Sequence, residues 1–176
     1  MMQLFDVGIL TIVLVLVLGI FLLLFVASGI KVLKEWDRAA VLRLGKFCGI
    51  KGPGIIWITP IIDRVAVTVT QRAQQTKIDT GKYTSNDGSK NRLTGYVNWR
   101  VIDVQKAVLA VENYQQSVFN VIQHTVLKIG QSFPGETAMM DEELLYAEIQ
   151  KEMEPSLTSW GIKILEIKLK SGSEWD

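Results

Sequence analysis

The sequence predicts an α+β protein: an N-terminal transmembrane helix, then a single domain in which a mixed or antiparallel sheet packs with helices. Residues from Val7 to Ile30 form one unbroken apolar run. After this run, strand-type patterns fill the first half of the chain, helical periods fill the second, and one strand-like segment returns at the end. Strands followed by helices are typical of the α+β class.

The apolar run is long enough to cross a bilayer. It contains no charge, proline, asparagine or glutamine, and roughly 20 apolar residues at about 1.5 Å each span a hydrocarbon core of about 30 Å. The alternative is a cleaved signal peptide, which has a basic first segment and a shorter apolar core. Ala27 and Ser28 could precede a cleavage site, but the leading segment MMQLFD has no Lys or Arg. A retained, straight anchor is therefore favoured, and the absence of proline disfavours a bent hairpin.

The residues that flank the run predict its orientation. Only Asp6 is charged before it, whereas six basic residues follow, namely Lys31, Lys34, Arg38, Arg43, Lys46 and Lys51. An excess of Lys and Arg marks the cytoplasmic side, so the C-terminal bulk is expected there. Basic residues and tryptophans also suit the headgroup region. The candidate membrane-proximal residues are Lys31, Lys34, Trp36, Arg38, Arg43, Lys46 and Trp57, with an ordinary solvated face as the alternative.

Composition limits the rest of the protein. About 145 residues follow the anchor, enough for one domain with a real core. The net charge of +1 is spread along the chain, which argues against a nucleic-acid partner. Cys48 is alone, so no disulfide can form within the chain. Cys48 is a weak candidate for acylation, and a half-buried inert thiol is the favoured interpretation.

The expected strands precede the expected helices. Gly52-Pro53-Gly54 predicts a tight turn, and residues 81–91 predict a polar loop. In the strand Leu93 to Ile102, alternation places Leu93, Val97, Trp99 and Val101 on the core face. The other expected strands are Val32 to Glu35, Ala39 to Leu44, Gly54 to Thr59, Arg64 to Arg72 and Ile162 to Leu169.

Three helices are expected in the second half. Asp103 is a plausible N-cap for a helix through Val111. Asn113 can cap a longer helix from Tyr114 to Ile129, which Gly130 would end as a left-handed cap. A third helix is expected from about Thr137 to Ser159, kinked or interrupted at Pro155.

No chemical motif points to catalysis. His124 is the only histidine, which excludes a cluster of histidine metal ligands; we predict no Ser-His-Asp triad, and surface or boundary packing is the expected role of His124. The sequence contains no G-x-S-x-G and no phosphate-binding glycine loop, and its single S-x-x-K match, Ser28 to Lys31, lies at the end of the apolar run. We therefore predict neither an enzyme nor a bound metal or cofactor.

Several segments together resemble the stomatin/prohibitin/flotillin (SPFH, or Band 7) family, and most closely its stomatin-like branch. They occur in the order and at the spacing typical of that family, over roughly Ile30 to Leu169. The matching segments are Ala40-Val-Leu-Arg-Leu-Gly-Lys46, Gly52 to Ile58, Pro60-Ile-Ile-Asp-Arg-Val65, Val97-Asn-Trp-Arg-Val-Ile-Asp103, Lys106-Ala-Val108, Val111-Glu-Asn-Tyr114, Ala147-Glu-Ile-Gln150, Trp160-Gly-Ile-Lys163 and Glu166-Ile-Lys168.

The resemblance implies a non-enzymatic membrane scaffold that self-associates, organises lipid microdomains and regulates membrane proteases or channels. It implies an anchor over residues 1–30, an SPFH/Band 7-like domain over 31–170 and a short tail over 171–176. Stomatin-like proteins continue into a long Ala/Glu-rich assembly helix, which this sequence lacks. A monomeric adaptor for one membrane partner, such as a protease, is therefore the alternative, and a membrane-anchored hydrolase has the least support.

Overall fold

The computed structural model describes residues 2–133 and 142–172. Contacts within the chain define two compact units, the first ending at Thr68 and the second beginning at Val69. The described elements in chain order are α1 (Met2–Ser28), β1 (Ile30–Leu33), β2 (Asp37–Arg43), β3 (Lys46–Lys51), β4 (Gly54–Trp57), β5 (Asp63–Thr70), β6 (Gln74–Asp79), β7 (Tyr83–Thr84), β8 (Lys90–Val101), α2 (Val104–Ala110), α3 (Tyr114–Ser132), α4 (Glu142–Ser159) and β9 (Ile162–Gly172).

The first unit joins the apolar helix to two small sheets. Strands β1 and β4 form an antiparallel ribbon, and a second sheet has the order β3-β2-β5. Between them lies a small core of Ala39, Ile56 and Ile58, against which Leu33 and Val65 pack. The predicted Gly-Pro-Gly turn is present, with positive φ at Gly52 and Gly54.

The second unit is a two-layer α+β body. Strand β8 lies at the centre of its sheet, with β6 on one side and β9 on the other, both antiparallel. Helices α3 and α4 cover one face of this sheet. The predicted core face of β8 is confirmed, because Leu93, Val97, Trp99 and Val101 are all buried, and the Trp99 ring meets Tyr114 of α3 edge to face.

Two predicted helix caps are confirmed. The Asp103 carboxylate accepts a hydrogen bond from the Lys106 backbone amide, and the Asn113 side chain accepts one from that of Gln116. Each bond satisfies an amide that a helix leaves without a partner in its first turn.

The predicted role of Gly130 is wrong. Helix α3 continues past it to Ser132, and Gly130 is buried inside the helix. A Cβ at this position would lie 2.9 Å from both the Tyr83 hydroxyl and a Leu93 methyl group. The glycine therefore permits close packing of the helix on the sheet.

Other predictions differ from the structure at element boundaries. Helix α4 runs through Pro155 to Ser159 without interruption, and the predicted start near Thr137 lies outside the described residues. Strands β3 and β6 were not predicted, and the expected polar loop holds β7 with a buried Tyr83. The predicted domain boundaries stay predictions, and residues 173–176 of the predicted tail lie outside the described part of the chain.

Candidate membrane-contact surface

Helix α1 is the one described helix that is long and apolar enough to cross a membrane. Its window from Thr11 to Ser28 has a mean hydropathy of 3.0, and none of it is buried within the protein. The predicted anchor therefore exists as a helix with its apolar side chains uncovered. Covering them with hydrocarbon removes the cost of exposing this surface to water.

The helix joins the first unit through a compact junction. The indole N–H of Trp57 donates to the Val26 carbonyl at 3.3 Å, and the Ile58 amide donates to the Gly29 carbonyl at 2.8 Å. A Cβ on Gly29 would lie 2.5 Å from the Ile58 carbonyl oxygen and 2.7 Å from the Trp57 indole nitrogen. Only glycine fits here, and the junction holds the end of α1 against strand β4.

One face of the β1–β4 ribbon is apolar and exposed. The register pairs Ile30 with Trp57 and Val32 with Ile55, which places these four side chains on the same face. Val32 is 75% exposed and Ile55 is 78% exposed. We call this four-residue surface the ribbon face. It begins immediately after the end of the apolar helix.

Two neighbouring loop tips add further exposed apolar side chains. The Leu44 amide donates to the Ile62 carbonyl at 3.0 Å, which ties the β2–β3 turn to the loop before β5. Leu44, Ile61 and Ile62 are all exposed, Ile61 to 93%. Leu44 and Ile61 both adopt positive φ, which is unfavourable for a β-branched residue such as Ile61.

The ion pair between Arg43 and Asp63 links the β2–β3 turn to the loop before β5. Arg43 donates to both oxygens of the Asp63 carboxylate, at 2.7 and 3.1 Å, and the Asp63 side chain is only 1% exposed. The Arg43 guanidinium holds the pKa of the Asp63 carboxyl well below its usual range, and the Thr59 amide contributes further. Because the Asp63 pKa is lower in the folded protein than in the unfolded chain, ionised Asp63 stabilises the fold above pH of about 4. This contribution is lost as the pH falls further and the carboxyl is protonated.

The predicted basic residues have different environments. Lys31, Lys34 and Lys46 are exposed, as is Trp36. The Arg38 guanidinium instead folds back and donates to the carbonyls of Glu35 and Asp37. Lys51, just outside the predicted set, donates to the Trp57 carbonyl at 2.7 Å. The structure therefore brings Trp57 and a lysine together at the junction, whereas Arg38 and Arg43 are engaged within the protein.

Cys48 differs from the expectation of a half-buried thiol, because it is exposed in β3. Its acylation stays a prediction.

Sequence reasoning missed the apolar part of this surface. Val32, Leu44 and Ile55 fall within predicted strands and Ile61 falls between two of them, and the sequence pattern predicts exposure for none of these four residues. A signal exists in the sequence: Ile30, Val32, Ile55 and Trp57 alternate with their neighbours at a spacing of two residues. The alternation alone does not say which face is solvent-exposed, because the opposite face carries Leu33 and the buried Ile56.

The described residues contain no group of three or more His, Cys, Asp or Glu side chains that could hold a metal ion. His124 is exposed on α3.

Comparison with known proteins agrees with the geometry of the fold. Residues 31–171 match the SPFH domain / Band 7 family. A stomatin homolog from Pyrococcus horikoshii is 34% identical over 152 residues, covering 86% of this chain and 56% of the relative. Human stomatin-like protein 3 is 29% identical over 144 residues, covering 80% of this chain and 49% of the relative. The chain thus spans about half the length of these relatives.

Proposed function

The chain belongs to the SPFH domain / Band 7 family, and on that premise we propose that it is a membrane-tethered, non-enzymatic scaffold of the stomatin type. In this role it self-associates and organises or regulates membrane proteins, such as proteases or channels, together with the surrounding lipid. The observation that carries the proposal is the junction of Trp57 and Gly29 with the end of α1. This junction connects α1, a helix suited to crossing the bilayer, directly to the SPFH/Band 7 domain.

Anchoring supplies the physical basis for self-association. Confining domains to a membrane raises their effective concentration, so weak lateral contacts between copies are enough for assembly. The ribbon face and the loop tips at Leu44 and Ile61 add a shallow apolar contact with the same bilayer. Such a contact limits the tilt of the domain and presents its sides to neighbouring copies.

The basic residues after α1 support a cytoplasmic position for the domain. Lys31, Lys34 and Lys46 are exposed close to the anchor in sequence, and each basic residue near an anionic leaflet contributes about 1 kcal/mol to attraction. Members of this family are generally non-enzymatic, and the proposal extends this property to the present chain.

The proposal is tested by membrane extraction and native mass of the full-length chain. Leu18→Lys combined with Leu22→Lys places two charges in the helix centre, each costing about 2.5–3.5 kcal/mol on insertion. Leu18→Ala combined with Leu22→Ala is the matched control, which keeps the helix apolar. We expect the wild type and the alanine control to resist carbonate extraction and to form a discrete oligomer in uncharged detergent, and the lysine variant to be extracted.

Two results would contradict the proposal. Complete extraction of the wild type by carbonate would exclude the anchor. A single-chain mass for the wild type in detergent and in neutral lipid nanodiscs would exclude self-association, and a monomeric adaptor for one membrane partner would then replace the scaffold.

A further inference from the structure

We propose that copies of this chain associate head-to-tail through the second unit, with the outer face of its sheet against the outer face of helix α4 of the next copy. The inference rests on the proposed self-association and names the two surfaces that perform it. The partner is a second copy of this chain, because both complementary surfaces are present on the same unit.

The outer face of the sheet is basic. It is the face of β6, β8 and β9 opposite the helices, and we call it the sheet outer face. Register pairs Arg100 with Lys163 and Tyr96 with Lys168 across β8 and β9, which places them on this face. Its cations are Lys77, Arg92, Arg100, Lys163, Lys168 and Lys170, and its carboxylates are Asp79 and Glu166.

Part of this charge is not neutralised within the unit. Asp79 pairs with Arg92 and Glu166 pairs with Lys168. Over the described residues, none of the other four cations on this face has a carboxylate within ion-pair distance. A net positive face of this kind favours an acidic partner surface and repels its own copy.

The outer face of α4 is acidic. Leu145, Ile149, Met153 and Leu157 form the buried stripe of this helix. The side that faces away from the stripe, which we call the α4 face, carries Glu143, Glu148 and Glu154, with Lys151 as its only cation. Lys151 contacts Glu148 at 3.5 Å, whereas Glu143 and Glu154 have no ion pair within the described part of the chain.

Each face also has an apolar group at its centre. Leu144 is 55% exposed on the α4 face, between Glu143 and Glu148. Tyr96 occupies the middle strand of the sheet outer face and is half-buried, with the Lys168 ammonium 5.9 Å from its ring centre. Protein interfaces commonly have an apolar or aromatic centre with a polar rim. The α4 face and the sheet outer face therefore match in the placement of their apolar groups as well as in the sign of their charges.

The two faces lie on different layers of one unit. The two faces meet at one edge of the unit, where Glu154 and Lys163 line the same groove. Since α4 packs against the helix-covered side of the sheet, a chain cannot lay the rest of its own α4 face on its own sheet outer face. The contact therefore requires two copies and is heterologous, with different surfaces on the two partners. Heterologous contacts propagate into rings or open arrays, which suits copies confined to one membrane plane.

The test is charge reversal in the full-length chain, with native mass measured in uncharged detergent. Changing the four cations that are unpaired within the described residues, Lys77, Arg100, Lys163 and Lys170, to Glu reverses the sheet outer face, and Glu143→Lys with Glu154→Lys reverses the α4 face. Reversal replaces attraction by repulsion at the interface, so we expect each set to raise the dissociation constant of the oligomer about tenfold or more. Raising NaCl from 0.05 to 0.5 M should weaken the wild-type oligomer, because salt screens exposed charges.

Combining all six substitutions in one chain exchanges the signs of the two faces and should restore the wild-type mass. This rescue separates a lost contact from a folding defect. Lys106→Glu with Glu112→Lys is the control, because these exposed residues lie outside both faces, and it should leave the mass unchanged.

An oligomeric wild type whose mass is unaffected by either reversal would overturn this inference and leave the proposed scaffold intact. Reversals that reduce binding to phosphatidylserine vesicles without changing the mass in uncharged detergent would overturn it in favour of lipid headgroups. A wild type that is monomeric throughout would remove both this inference and self-association.

Discussion

Gly130 shows how one residue without a side chain can determine the packing of two layers. It lies in the last turn of α3, just before the helix ends at Ser132. In a helix interior glycine costs about 1 kcal/mol relative to alanine in intrinsic helix stability. The Tyr83 hydroxyl and a Leu93 methyl group occupy the space that a Cβ would need. Leu93 and Tyr83 are themselves buried, so neither can move aside into solvent.

We predict that Gly130→Ala destabilises the protein by about 1 kcal/mol, because overpacking typically costs about 1–3 kcal/mol and outweighs the gain in helix propensity. Reversible denaturation of the detergent-solubilised chain measures this change. Leu93→Val is the companion substitution, since it shortens the side chain that meets the new methyl group. In the double variant the cost of the alanine should shrink, and a stabilising effect of Gly130→Ala alone would contradict the packing argument.

At the scale of elements, the ribbon of β1 and β4 is the most informative part of the first unit. Two short strands with one exposed apolar face are marginally stable alone in water. Here the Gly29 and Trp57 contacts fix the ribbon to α1, and its inward Ile56 packs against Ala39 and Ile58. The ribbon face then remains as an apolar surface at the end of the anchor.

We predict that the ribbon face is buried in lipid. In a Cys48→Ser background, Ile55→Cys in neutral-lipid proteoliposomes should react several-fold more slowly with a polar maleimide than Lys106→Cys, because lipid disfavours both the thiolate and the reagent. Both positions are exposed within the protein itself. Equal rates at the two positions would place the ribbon face in water.

At the scale of the whole molecule, charge asymmetry about α1 predicts the topology. Only acidic Asp6 precedes the apolar run, and six basic residues follow within about 20 positions. Positive residues near the end of a membrane segment are retained on the cytoplasmic side, so the two units should both lie there.

We expect a membrane-impermeant maleimide to label Lys106→Cys, again in the Cys48→Ser background, only after intact expressing cells are permeabilised. Gln3→Cys, on the other side of the predicted anchor, is the matched control and should be labelled without permeabilisation. The opposite pattern would reverse the topology and exclude a cytoplasmic scaffold.

The sequence by itself determined the features that depend on local pattern. Composition identified the N-terminal apolar helix, alternation identified the core face of β8, and the positions of Asp103 and Asn113 identified the caps of α2 and α3. Nine family-like segments in order were enough to recognise the family. These features could be predicted because each depends on residues close together in the chain.

Only the tertiary structure decided the features that depend on pairing between distant segments. Strand β6 is a polar edge strand, stabilised by its hydrogen bonds to β8 and not by an alternating apolar pattern of its own. Arg43 meets Asp63 from twenty residues away, and Val32 reaches the ribbon face through the register with Ile55. A shift of one residue in that register would reverse which side chains are exposed. The chemistry of the surfaces therefore depends on strand pairing, which local sequence does not specify.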